Sequence, residues 1–122
     1  MNADSPNRSL LVGLVGPCAS GKTTLAVRLE MLGWRVKHIA QEHSYVKDMW
    51  KRVTNPDVLI FLDASYPVTL QRRRLDWQEA DWAEQQRRLG HARQHANFYI
   101  DTDTLTIEQV TEKVVEFLQD AL

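Results

Sequence analysis

The sequence predicts an α/β fold, a three-layer αβα sandwich around a small, mainly parallel sheet of about four strands. Three observations carry this. Short apolar runs of strand length alternate with amphipathic stretches of helix length, the order of repeated βαβ units. Each run ends at glycine or at polar residues, on the edge where a parallel sheet gathers its ligand groups. The chain has 122 residues, enough for one core and too few for two domains. The organisation predicted is a flexible tail over residues 1–9 followed by a single domain over 10–122.

The elements follow in order. Leu10 to Val15 is short, apolar and ends at Gly16, as a fully buried strand does. "KTTLAVRLEMLG" then places Leu25, Leu29 and Leu32 on one helical face, with Gly33 as its stop. "WRVKHIA" is a shorter second strand, and "SYVKDMWKRV" a short helix or irregular stretch. "NPDVLIFLD" is the third strand, entered at Pro56 and Asp57 and continuously apolar from Val58 to Leu62. Ser65 can cap the next helix, with Pro67 in its first turn and Arg72, Arg73 and Arg74 further along. "WQEADWAEQQRRLGHARQHA" continues as helix, with a break near Asp76 to Asp81 and with Trp82, Leu89, Ala92 and Ala96 on one side. "NFYID" is the last strand. Thr106, with Gln109 three residues on, opens a final helix whose apolar stripe is Val110, Val114, Phe117, Leu118 and Ala121.

The first strand and helix enclose "GLVGPCASGKTTL", in which Gly16, Gly21, Lys22 and Thr23 match G-x-x-x-x-G-K-[ST], the phosphate-binding P-loop pattern. The spacing has a physical reason. A helix N-terminus offers unpaired N–H groups and the positive end of its dipole to an anion. The two glycines let the backbone turn sharply and approach oxygen without a Cβ. Lys22 adds a point charge for the β- and γ-phosphates, and Thr23 a hydroxyl for Mg²⁺. Gly16, Cys18, Ala19, Ser20, Gly21, Lys22, Thr23 and Thr24 are therefore the expected cradle for ATP or another NTP, with Thr24 near the α-phosphate. This predicts a P-loop NTPase form of the αβα sandwich.

Composition narrows the partners. Hydrophobic residues make up 43% and charged residues 25%, as in ordinary globular proteins. A formal net charge of −1 argues against a general nucleic-acid binder. The single cysteine, Cys18, excludes an intrachain disulfide and fits a reducing compartment. No apolar run has membrane-spanning length, and "MNADSPNRS" lacks a signal-peptide core, so a cytoplasmic location is predicted.

On these residues the chain resembles the P-loop kinases of nucleosides, nucleotides and other small molecules. "PDVLIFLDASYPVTLQRRR" is similar to the strand and Arg-bearing helix that precede the lid in thymidylate and deoxynucleoside kinases. "HANFYIDTDTLTIEQV" is similar to the terminal strand and helix of that superfamily, whose connecting loop lies beside the nucleotide base. The resemblance implies that Arg73 or Arg74 closes over the phosphates, because consecutive arginines on a helix point about 100° apart and cannot all do so. It implies a base-side position for Asp103. It makes Glu42, after the second strand, the base toward an acceptor hydroxyl, with His43 as the alternative. Asp63 either holds a Mg²⁺-bound water or only orients the following turn. His91 and His95 have a metal-compatible spacing, but no third ligand accompanies them.

The chain departs from the family in length. Only residues 45–55 separate "HIAQEHS" from "PDVLIFLD", too few for the usual acceptor-binding insertion with a further strand. The acceptor pocket is then small, borrowed from a partner subunit such as a second copy, or absent. Two functions are therefore expected: a compact ATP-dependent small-molecule kinase, or a nucleotide switch or slow NTPase acting with a protein partner.

Overall fold

The computed structural model of the chain describes residues 9–73 and 76–121. The tail up to Arg8, Arg74, Leu75, Leu122 and the side chain of Ala121 lie outside the described residues.

Four strands, β1 (Leu11–Val15), β2 (Arg35–His38), β3 (Val58–Asp63) and β4 (Phe98–Asp101), form one sheet in the order β2-β1-β3-β4. All three pairings are parallel. Five α-helices accompany them: α1 (Lys22–Met31), α2 (Tyr66–Arg73), α3 (Glu79–Arg88), α4 (Gly90–His95) and α5 (Ile107–Ala121). A 3-10 turn at Gln41–His43 and a π-helical turn at Trp50–Thr54 fill the connection from β2 to β3.

The strands are apolar on both sides because both faces are covered. In β3, Val58, Ile60 and Leu62 face α1 and α5, where they pack with Val12, Leu14, Leu25, Leu29, Val114 and Leu118. The alternate residues Leu59 and Phe61 pack on the other face with Val15, Ile39, Trp50, Leu89 and Ala92. Helix α1 carries the chain from β1 to β2 over the first face, and the later connections return in the opposite direction over the second. Opposite directions on opposite faces give crossovers of the same hand.

Local chemistry sets the boundaries. Helix α1 ends in a Schellman motif: Trp34 N–H donates to Leu29 O at 3.0 Å, Gly33 N–H to Glu30 O at 2.9 Å, and Gly33 takes φ 94°. Leu32 sits at that cap and is exposed, so it is not part of the buried face with Leu25 and Leu29. Thr106 and Gln109 form the predicted capping box of α5, with bonds of 2.9 and 3.1 Å. The stretch after α2 is broken twice. Residues 76–78 are non-helical, and Gln78 N–H donates to the Asp81 carboxylate at 2.9 Å as α3 begins. A second, unpredicted break falls at Leu89, whose fully buried side chain ends α3 before Gly90 starts α4. No helix among the described residues is long and apolar enough to cross a membrane.

Candidate functional site

Strand order reverses between β1 and β3, so a crevice opens beyond their carboxyl ends. The 16–24 loop lies there. A Cβ on Gly16 would stand 2.0 Å from Leu62 O, so β3 admits only glycine at this position. Gly21 has open space around it, and its requirement is conformational, φ 100°. Ala19 holds φ 65°, a left-handed conformation uncommon for a residue with a Cβ. Gly21 is the N-cap of α1 and offers no side chain to it. The first-turn N–H groups of Lys22, Thr23 and Thr24 have no intrahelical partner, and all three residues line a cleft of about 600 Å³.

Lys22 is the centre of this cleft. Its ammonium donates to Gly16 O at 2.6 Å and Pro17 O at 3.0 Å, and pairs with Glu42 at 3.1 Å. Both side chains are at most 5% exposed, so this is a buried ion pair. Burial lowers the lysine pKa, and Glu42 opposes that shift. Glu42 reaches the cleft because the 3-10 turn carries it inward. Its second oxygen, Oε1, is buried with no hydrogen-bond partner among the described residues.

Around the pair stand His38, Cys18 and His43. His38 Nδ1 lies 3.4 Å from the Thr23 hydroxyl, and burial and the charge of Lys22 lower its pKa. Cys18 Sγ is 3.8 Å from His43 Nε2, which is 3.8 Å from Glu42 Oε2. One ligand atom each from Cys18, Glu42 and His43 fall within 4.8 Å of one another. Gln85 of α3 holds the loop from outside, accepting from Cys18 N–H at 3.0 Å and donating to Cys18 Sγ at 3.1 Å.

Of the arginines, Arg72 and Arg73 line the cleft, and Arg74 lies outside the described residues. Arg72 is a clamp rather than a free lid residue. It donates to Ala19 O at 3.2 Å, to the Thr102 hydroxyl at 2.9 Å and to Thr102 O at 2.6 Å. Gly21, Thr24 and Arg72 also line a second, mainly apolar hollow of about 310 Å³, with Thr102, Leu105, Ile107 and Val110.

Two expected residues are placed elsewhere. The Asp63 carboxylate accepts from Ala64 N–H, Gln86, Arg93 and Tyr99, at 2.9, 2.8, 2.9 and 2.5 Å. Four donors occupy its oxygens, and it is not part of the cleft lining, so its visible role is to tie the β3–β4 edge to α3 and α4. Asp103 accepts from Ser65 N–H at 2.9 Å, joining two turns, and lines neither the cleft nor the hollow. His91 and His95 stack with ring centroids 4.2 Å apart. His91 Nδ1 accepts from Trp50 Nε1 and His95 Nδ1 bonds His91 O, which makes the pair a packing feature against Trp50.

His38 and Gln85 were not singled out by the sequence. His38 had a signal, as the last residue of a strand ending at the ligand edge. Gln85 had none, since it sits mid-helix 67 positions from its partner Cys18. No protein-family model matches the chain, and no curated protein matches it in sequence.

Proposed function

We propose that the chain is a P-loop protein that binds ATP, or another nucleoside triphosphate, with Mg²⁺ on the 16–24 loop, and transfers its γ-phosphoryl group to a small acceptor. The observation that carries this reading is the buried Lys22–Glu42 pair, set against a glycine-turned helix N-terminus. The lysine is already at the mouth of the loop, held by two carbonyls and a carboxylate. Phosphate oxygens are stronger acceptors than carbonyls and would draw the ammonium outward, releasing Glu42.

Thr23, exposed on the cleft, is the residue that would hold the Mg²⁺. Bound Mg²⁺ neutralises charge on the phosphates. Glu42, on the cleft lining, takes the acceptor proton. Arg73 adds positive charge at the cleft edge. The hollow lined by Arg72 and by Leu105, Ile107 and Val110 takes the base.

A specific observation favours a second reading. Residues 44–54 form no lobe over the cleft. Gln41 staples them down, accepting from Trp50 N–H at 2.8 Å and donating to Val46 O at 2.8 Å, and Trp50 enters the core. With no acceptor lobe among the described residues, Glu42 would orient water, and the chain would act as an NTPase or switch read by a protein partner.

Labelled ATP offered to a panel of nucleosides, nucleotides and sugars, beside plain hydrolysis, separates the two. Labelled acceptor supports the kinase-like reading. Inorganic phosphate without labelled acceptor supports the second. Absence of both contradicts either. Glu42→Gln should lower turnover about 100-fold or more while nucleotide binding persists.

A further inference from the structure

The trio Cys18, Glu42 and His43 gathers three different metal-ligating groups from two loops. Tetrahedral Zn²⁺, with Zn–S near 2.3 Å and Zn–N or Zn–O near 2.0–2.1 Å, places its ligand atoms roughly 3.3–3.6 Å apart. Cys18 Sγ to His43 Nε2 and His43 Nε2 to Glu42 Oε2 are each 3.8 Å. All three ligand atoms lie within 4.8 Å of one another, and side-chain rotations would bring them to that spacing.

A second, independent feature points to a cation. Glu42 Oε1 is buried and unpartnered among the described residues, while Oε2 is satisfied by Lys22. The carboxylate therefore keeps acceptor capacity beyond the lysine, and its Oε2 is the oxygen that lies 3.8 Å from His43 Nε2. The outer surroundings also suit a thiolate. The Gln85 amide donates to Cys18 Sγ at 3.1 Å, the kind of N–H···S support found around bound thiolates.

We propose that Cys18, Glu42 and His43 form a binding site for a soft divalent cation, Zn²⁺ being the fit, with a fourth position open to water. The site ties the 16–24 loop to the turn after β2. Binding forms the Zn–S bond and breaks the S–H bond of Cys18, whose proton leaves to solvent; no oxidant or reductant is involved. The metal takes its ligands from residues that the phosphoryl reading also uses, but the site does not depend on that reading.

Titration of the metal-free chain with Zn²⁺ alone, against a chromophoric chelator and without nucleotide, tests it. One Zn²⁺ per chain is expected, with affinity falling by at least the 10–100-fold that outer partners cost in Cys18→Ser, Glu42→Gln and His43→Asn. His95→Gln should bind as the unmodified chain does. Two further readouts stand if a variant folds poorly. Co²⁺ added to the unmodified chain should give a sulfur-to-metal charge-transfer band, and Zn²⁺ should slow alkylation of Cys18 there but not in His43→Asn. Absence of stoichiometric binding, full affinity in Cys18→Ser, or alkylation indifferent to Zn²⁺ overturns the proposal.

Discussion

Arg72 grips Thr102 at two points, the hydroxyl at 2.9 Å and the carbonyl at 2.6 Å, while the same guanidinium reaches Ala19 O at 3.2 Å. Thr102 in turn donates to Asp63 O at 2.7 Å. One side chain from α2 thus joins the glycine-rich loop, the end of β3 and the turn before α5. Arg73 makes no such clamp among the described residues and lines the cleft. Arg72→Ala should therefore destabilise the fold by about 1 kcal/mol and loosen the loop. Arg73→Ala should leave stability within about 0.5 kcal/mol and lower turnover more than nucleotide affinity. Urea unfolding of both variants, beside steady-state kinetics, checks the contrast. Equal stability losses would contradict it.

The two loop glycines differ in why they are glycine. Gly16→Ala drives a Cβ into the Leu62 carbonyl, and should cost about 2–4 kcal/mol. Gly21→Ala meets no atom within 4 Å and carries only the penalty of φ 100°, about 1–2 kcal/mol. Denaturant midpoints should preserve that order, and a reversed order would show that Gly16 is not pressed against β3.

The Lys22–Glu42 pair should show strong coupling. Removing one member of a buried pair strands the other without compensation, at about 3–5 kcal/mol. Lys22→Met and Glu42→Gln should each destabilise the chain, and the double variant should recover much of the loss. A double-mutant cycle reads this directly. Additive losses would mean that the two groups do not meet in solution.

His38 gives a pH signature. Burial first, and then the charge of Lys22, hold its pKa below the ordinary 6.5. A base with a depressed folded pKa takes up its proton more readily when the chain unfolds. Its share of stability is complete above pH 6.5 and is lost as pH falls from there through the folded pKa. An NMR titration should place His38 below 6.5, and His38→Gln should flatten the fall in Tm across that window. A midpoint at or above 6.5 would contradict the burial of this ring beside Lys22.

Much of the architecture was legible because β1 and β3 carry local signals. Their runs are apolar on both faces, and Gly16, Pro56 and Asp57 mark their ends. Asp57 also fixes the register, accepting from Leu11 N–H at 2.7 Å. Thr106 and Gln109 announced the start of α5 through four residues of local chemistry. The break at Leu89 had a local signal in Gly90 just after it, but an isolated glycine is also tolerated inside a helix, and the burial of Leu89 against β3 decides the matter. The site divides in the same way. The loop is contiguous and could be read as a pattern, and Glu42 could be placed from its position after a strand. Asp63 looked like a metal ligand for the same reason, but Arg93, Gln86 and Tyr99, from helices and a strand later in the chain, claim its oxygens. Sequence position puts a side chain at the correct edge, and long-range partners decide what it is free to do.

The central claim is that the 16–24 loop holds a nucleoside triphosphate through Lys22. Calorimetric titration of ATP–Mg²⁺ into the unmodified chain and into Lys22→Met, both verified as folded, tests it most directly. One ATP per chain is expected in the unmodified protein, and loss of that binding by at least 100-fold in the variant, about 2.7 kcal/mol. No binding to the unmodified chain, or unchanged affinity without the lysine, would contradict it.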